Sequence, residues 1–180
     1  MNRQNISREN YQTYVWFRHA AEAGNAYAQF NLGLMYKKGD GIERDYARAF
    51  RWLRQASLQG LAFAQNHLGA LYYNGRGVQK SDVEAVYWFR HAAEQGDASA
   101  QQNLGQMYKK GRGVGQSHEM ALAWFYRAAE QGVASAQSLL AECYLYGRGA
   151  MIDYPLAMAW FRKAAVPGDT IAQLHLGLMY

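Results

Sequence analysis

The sequence predicts an all-α fold, a right-handed α-solenoid built from helix-turn-helix repeats. The pair Ala-Gln recurs every 36 residues, starting at Ala28, Ala64, Ala100, Ala136 and Ala172. Apolar residues at helical spacing follow each pair, and glycines separate the apolar stretches. Because one helix pair is too small to bury its own apolar stripe, neighbouring pairs must stack into a continuous core.

The first helix of each repeat combines an apolar stripe with a small residue. In the first full copy Ala28, Leu32, Met35 and Tyr36 fall at i, i+4, i+7 and i+8, the spacing of one helix face. A small residue recurs beside the stripe: Gly33, Gly69, Gly105, Ala141 and Gly177. Because glycine costs about 1 kcal/mol in a helix relative to alanine, we expect another helix backbone to approach closely there.

The second helix of each repeat lies between glycine signals. Paired glycines end the first helices: Gly39 and Gly41, Gly75 and Gly77, Gly111 and Gly113, Gly147 and Gly149. Good N-cap residues then open the second helices: Asp45, Ser81, Ser117 and Asp153. The apolar stripe reads Ala49, Trp52, Leu53 and Ala56 in the first copy, and all five tryptophans share the register of Trp52. A further glycine, Gly60 in that copy, ends the second helix.

The period divides the chain into parts of one solenoid domain, residues 1–180. Residues 1–24 hold a polar cap and a leading second helix, which we expect from about Tyr11 to Glu22. Four full repeats follow at 25–60, 61–96, 97–132 and 133–168, and residues 169–180 form a lone first helix. Since that helix would expose Leu176, Met179 and Tyr180, we expect either self-association through it or a truncated chain.

Composition indicates a folded chain that is not exported. Half of the 180 residues are hydrophobic, enough for a sizeable core. The opening MNRQNISREN is polar, and no apolar run approaches the ~18 residues of a membrane helix. The single cysteine, Cys143, allows no intrachain disulfide, which fits a reducing compartment. We therefore expect a cytoplasmic protein without a membrane partner.

The repeated pattern resembles the Sel-one-like repeat family, which is related to tetratricopeptide repeats. It runs A-Q-x-x-L-G-x-M-Y, then G-x-G, then A-x-x-W-F-x-x-A-A-x-x-G, and the third copy reads AQQNLGQMYKKGRGVGQSHEMALAWFYRAAEQG. The resemblance covers nearly the whole chain. It implies a non-catalytic adaptor, scaffold or regulator that binds other proteins. Many secreted members carry cysteines that staple each repeat; this chain lacks them, so the activities claimed for that branch are not carried over.

The residues that could carry catalysis or metal binding do not combine into a site. The Gly-x-Gly motifs lack the preceding strand that a dinucleotide-binding loop needs. Four of the histidines form two equivalent pairs: His19 matches His91, and His67 matches His175. The members of each pair lie on different repeats, too far apart to bind the same metal ion. Cys143 occupies a position of the apolar stripe, which favours a buried packing role over a nucleophilic one. We predict no enzyme activity, cofactor or metal.

By analogy with tetratricopeptide solenoids, the concave wall is expected on the first helices, at positions that vary between copies. The predicted partner-binding residues are Phe30, Leu34, Lys37, Lys38, Asn66, Tyr73, Asn74, Gln102, Gln106, Lys109, Lys110, Glu142 and Tyr146. The lysines would bind carboxylates, Asn66 and Gln102 a peptide backbone, and Tyr73 an apolar side chain. This basic, polar groove suits an extended acidic peptide. The alternative is a merely solvated face.

The first functional hypothesis is therefore a protein–protein interaction module. An inhibitor of a partner enzyme is one alternative, and an RNA-binding solenoid that uses the same lysines and tyrosines is another. The net charge of +5 favours acidic partners, but charged residues make up only 18% of the chain, which argues against nucleic acid. Binding that falls steeply with salt would distinguish RNA from a peptide.

Overall fold

The computed structural model describes residues 8–166 and 168–179, and in that part of the chain the fold is entirely helical. The helices are α1 (Arg8–Glu22), α2 (Ala26–Lys38), α3 (Tyr46–Leu58), α4 (Ala62–Asn74), α5 (Asp82–Glu94), α6 (Ala98–Lys110), α7 (His118–Glu130), α8 (Ala134–Tyr146), α9 (Tyr154–Ala165) and α10 (Thr170–Met179). The predicted α-solenoid class is confirmed. Even-numbered helices are the first helices of the repeats. The polar cap expected at the start of the chain lies largely outside the described residues.

The helices form two compact units, Met1–Gln95 and Gly96–Tyr180. In the first unit α2 packs on α3 and α4 on α5, while α1 lies on α2 and α3 on α4. The second unit repeats the arrangement, with α6 on α7, α8 on α9, α7 on α8, and α10 on α9. Each unit therefore contains helix pairs stacked on neighbouring pairs, as the solenoid prediction requires.

The predicted helix boundaries are confirmed at both kinds of turn. Each predicted N-cap accepts a hydrogen bond from the amide three residues on: Asp45 from Arg48, Ser81 from Glu84, Ser117 from Met120, and Asp153 from Leu156. Left-handed glycines end the first helices at Gly39, Gly75, Gly111 and Gly147. Glycine is favoured there because it has no Cβ to clash in that conformation.

The small residue of the first helix makes room mainly for a side chain. A Cβ on Gly69 would lie 2.8 Å from the ring of Phe89 and 3.2 Å from the carbonyl oxygen of Ala85. In the second unit a Cβ on Gly105 would lie 2.6 Å from the ring of Phe125. The expected close approach of a backbone is thus confirmed, but a side chain of the paired second helix comes closer still: an aromatic ring at Gly69 and Gly105, and Leu53 at Gly33.

The second glycine of each pair has a different role. Gly77 has φ 72°, and a Cβ there would overlap the carbonyl group of Tyr46, at the start of α3. Gly149 approaches His118, at the start of α7, in the same way. The loop after one first helix therefore packs directly on the start of the second helix of the preceding repeat, and only glycine fits.

The glutamine of the Ala-Gln pair holds the turn between repeats. Gln29 is buried; its side-chain amide donates to the carbonyl oxygen of Ala21 at 3.1 Å. Its own Oε1 accepts a 2.7 Å hydrogen bond from Gln59, which also donates to the carbonyl of Gly24. Because buried amides are costly unless hydrogen-bonded, this arrangement explains why glutamine accompanies alanine in the four full repeats, where it is buried; Gln173 in the last copy is exposed.

The tryptophan register does not give the same burial in every helix. Trp88, Trp124 and Trp160 are buried, but Trp16 is 66% exposed. Among the described helices α1 packs mainly on α2, so the tryptophan side of α1 is left uncovered. Full burial is therefore found only where helices lie on both sides, and even there Trp52 is half-buried.

The expectation for the last helix is corrected. Leu176 and Met179 are partly buried against the core of the second unit, whereas Leu174 and Leu178 are 63% and 75% exposed. The reason is helical spacing: Ala172 is fully buried, and Leu176, four residues on, follows it toward the core. Tyr180 lies outside the described residues.

Candidate functional site

The predicted partner-binding residues divide between the two units. Those on α2 and α4, here called the first-unit surface, are Phe30, Leu34, Lys37, Lys38, Asn66, Tyr73 and Asn74. Those on α6 and α8, the second-unit surface, are Gln102, Gln106, Lys109, Lys110, Glu142 and Tyr146. All of these residues are half-buried or exposed. Each unit therefore carries its own set of first-helix side chains that a partner can reach.

Lysines at the same repeat position have different partners in the two units. Lys37 Nζ donates to Nδ1 of His67 at 3.0 Å. Lys109 Nζ lies 3.2 Å from Oε2 of Glu142, and both side chains are only about one-fifth exposed. Lys109 and Glu142, both predicted to bind a partner, thus bind each other. The charge of Lys109 is balanced within its own unit.

The surroundings of Lys37 and His67 are electropositive. Burial, together with the smaller effect of the charges of Lys37 and Lys38, lowers the pKa of His67 to about 4. Burial also lowers the pKa of Lys37, with Arg76 and Lys38 adding repulsion. At neutral pH His67 is therefore uncharged, and its Nδ1 is free to accept the hydrogen bond from the lysine ammonium.

Aromatic side chains are exposed or half-buried on the two first helices that carry this pair, and sequence reasoning missed two of them. The ring of Phe30 lies 5.6 Å from that of His67 and 6.3 Å from that of Phe63. Phe63 is 56% exposed and Tyr27 is 64% exposed, each at the second position of its helix. The corresponding position on α6 and α8 is serine, and this change from aromatic to polar was the signal available in the sequence.

The second-unit surface is polar at the matching place. Ser135 Oγ lies 2.8 Å from Oε1 of Gln102, and Ser138 donates to Asp169 at 2.8 Å. Ser138 is buried, so it contributes to packing rather than to a surface. The two units therefore present different chemistry on equivalent helices: aromatic and cationic on the first, hydrogen-bonding and charge-balanced on the second.

The residues of α2 do not all face the same neighbour. Phe30 and Lys37 contact α4. Leu34 and Lys38 instead line a shallow pocket of about 190 Å³ between α1 and α2, together with Thr13, Phe17, Asn31, Met35 and Asp40. The predicted set on this helix therefore covers two separate places.

The groups that could support other chemistry are arranged as packing residues. Cys143 is 3% exposed, and burial raises the pKa of its thiol to about 11, so the reactive thiolate is scarce at neutral pH. Within residues 8–166 and 168–179, no three His, Cys, Asp or Glu side chains are placed to hold a metal ion. None of the helices in those ranges is long and apolar enough to cross a membrane.

Comparison with known proteins agrees with the repeat architecture. The model of the Sel1 repeat matches residues 26–61, 62–97, 98–133 and 134–165. No curated protein matches the sequence. Among solved structures, a protective antigen of uropathogenic Escherichia coli that displays an SLR fold is 36% identical, with a TM-score of 0.90 over 94% of this chain and 36% of its own.

Two further structures are similar. A Sel1 repeat protein from Oxalobacter formigenes is 36% identical, with a TM-score of 0.85 over 95% of this chain and 50% of its own. An immunity protein from Pseudomonas aeruginosa is 23% identical, with a TM-score of 0.56 over 84% of this chain and 56% of its own; this likeness concerns the fold alone. The chain thus spans half or less of the length of the first two. It belongs to the Sel1 repeat family.

Proposed function

We propose that the chain is a non-catalytic protein–protein interaction module whose first helices bind a peptide or protein partner. Sel1 repeats generally mediate protein–protein interaction. Within that general role the chain acts as an adaptor or scaffold. Its single buried cysteine fits a location in the reducing cytoplasm. An inhibitor would use the same surface, and it differs only in the consequence of binding for the partner.

One contrast between repeat positions carries this proposal. The leucines of the first helices are fully buried in the four full repeats: Leu32, Leu68, Leu104 and Leu140. Six residues further along, the side chains are exposed in the same four repeats and their chemistry differs: Lys38, Asn74, Lys110 and Tyr146. Packing fixes the identity of the leucines, whereas the exposed side chains lie outside the buried core. Such positions are free to be chosen for recognition.

The character of the surfaces favours an acidic protein partner. In each unit, one of the first helices ends with a lysine pair. On the first unit, exposed aromatic rings lie near that pair. Interfaces are enriched in aromatic residues, and complementary charge steers partners to them. RNA binding through the same side chains is the second hypothesis, and the experiment below separates the two.

The test is affinity capture from a cell lysate with identification of bound protein and bound RNA together. The test variant replaces Lys37, Lys38, Tyr73, Lys109 and Lys110 with alanine. A matched control replaces four cations and one tyrosine on exposed positions of the second helices: Arg51, Arg54, Tyr87, Arg90 and Arg127. Circular dichroism of both variants checks that the helices are retained.

We expect at least one protein to be captured by the wild type and the control but lost by the test variant. Identical captures would contradict binding through the first helices. Loss of RNA alone would favour the RNA-binding hypothesis over the protein-binding one. A captured enzyme whose turnover falls on adding the wild-type chain would identify the module as an inhibitor.

A further inference from the structure

We propose that the first unit contains a recognition site for an acidic peptide, in which Lys37 binds a carboxylate side chain and Phe63 packs on an adjacent apolar residue. The equivalent site of the second unit is closed by its own Glu142. This inference rests on the proposed function and deepens it, because it names the residues that recognise the acidic partner and limits the site to the first unit.

The first step is a comparison of equivalent positions. Lys37 and Lys109 occupy the same place two repeats apart. Lys109 is bound by Glu142, 33 residues further on; the residue 33 positions after Lys37 is Ala70. The residue 30 positions after Lys37 is His67, whereas the residue 30 positions after Lys109 is Leu139. The carboxylate that neutralises one lysine is therefore replaced by a methyl group beside the other.

The second step is the charge around Lys37. Its ammonium group has a neutral acceptor in His67, and the charges that act on it are the positive ones of Arg76 and Lys38. In the described part of the chain no carboxylate lies within ion-pair distance of Lys37. A half-buried cation without an internal counter-ion favours an external anion, since the attraction is stronger where water is partly excluded.

The third step is what lies beside the cation. Phe30 bridges the imidazole of His67 and the ring of Phe63, and the ring of Phe63 is more than half exposed. An anion bound at Lys37 therefore has apolar surface next to it. This favours Asp or Glu adjacent to an aromatic or large aliphatic residue over a bare inorganic anion, which gains nothing from the rings.

The experiment selects phage-displayed random dodecapeptides on the full chain and measures the affinity of the most enriched peptide by fluorescence anisotropy. We expect enriched peptides to place Asp or Glu next to an aromatic or large aliphatic residue. The variant Lys37→Met should weaken binding about tenfold or more, the size expected for a lost charge-assisted hydrogen bond. The matched variant Lys109→Met should change affinity less than about twofold.

A second pair of variants copies the chemistry of the second unit into the first. Ala70→Glu supplies Lys37 with the internal carboxylate that Lys109 has, so it should weaken peptide binding as strongly as Lys37→Met. Ala70→Gln has similar size but no charge, and it should retain most of the affinity. Thermal melting of each variant shows that the helices remain folded during the comparison.

The outcomes separate this inference from the proposed function. Enriched peptides without an acidic preference, or equal effects of Lys37→Met and Lys109→Met, would overturn the inference while leaving a peptide-binding module in place. Failure to enrich any peptide above a blank surface would also overturn it, and the lysate capture then decides the proposed function. Displacement of the peptide by single-stranded RNA in a Lys37-dependent manner would assign the site to RNA and overturn the peptide assignment.

Discussion

Replacing Gly77 with alanine tests how neighbouring repeats lock together. The new Cβ would overlap the carbonyl group of Tyr46 and lie 2.7 Å from the amide nitrogen of Ala47. Because these are backbone groups, no side-chain rotation can relieve the clash. The left-handed conformation of residue 77 adds about 1–2 kcal/mol for a non-glycine residue, and forced overpacking adds about 1–3 kcal/mol. We expect a total loss of about 2–5 kcal/mol in the free energy of unfolding.

Gly60 supplies the matched control. Its φ of 89° is also left-handed, but a Cβ there would meet nothing within 4 Å, so Gly60→Ala should cost only about 1–2 kcal/mol. Urea unfolding followed by far-ultraviolet circular dichroism measures both losses. Equal losses for the two variants would refute the reasoning, because they would mean that conformation alone, and not contact between repeats, requires the glycine at position 77.

Three further predictions follow from the burial and the pKa values. Trp88→Ala should cost about 3–5 kcal/mol through the cavity it leaves, whereas exposed Lys110→Ala should stay within about 0.5 kcal/mol; urea unfolding compares them, and similar values would mean that inside and outside are misassigned. His67 has an ordinary pKa of 6.5 and a folded pKa of about 4, so protons bind the unfolded chain first as the pH falls through this window. The wild type should therefore lose about 2–3 kcal/mol more than His67→Gln between pH 7 and pH 4; parallel stability curves would contradict the assigned burial. Cys143 should react with iodoacetamide at least about a hundredfold more slowly in the native chain than in urea, as followed by mass spectrometry; equal rates would show an accessible thiol.

The periodic features of the fold could be predicted because each is repeated in the sequence. Asp45 and its equivalents cap helices through contacts three residues away, and Gly39 ends a helix through its own backbone conformation. Such local causes leave a visible pattern at fixed spacing. The contact between Gly77 and Tyr46 joins residues of different repeats, so the sequence showed the recurring glycine but not the neighbour that requires it.

The candidate site was predictable only in part, because it depends on contacts between repeats. Lys37 and Lys109 look identical in the sequence, and their difference comes from residues 30 and 33 positions away. Burial of Leu176 instead of Leu174 likewise follows from which side of α10 meets α9. Whether the lysines bind a partner stays a prediction.

Oxidative footprinting of the chain, alone and with the protein that it captures most strongly, tests the central claim most directly. Tyr27 and Phe63 on the first helices are 64% and 56% exposed, and Tyr87 and Tyr126 on the second helices are 52% and 45% exposed, so the two sets start with similar reactivity. Binding through the first helices predicts that the partner slows oxidation of Phe63, with or without Tyr27, and leaves Tyr87 and Tyr126 unchanged. Protection of Tyr87 and Tyr126 with unchanged Tyr27 and Phe63 would contradict the account and place recognition on the second helices.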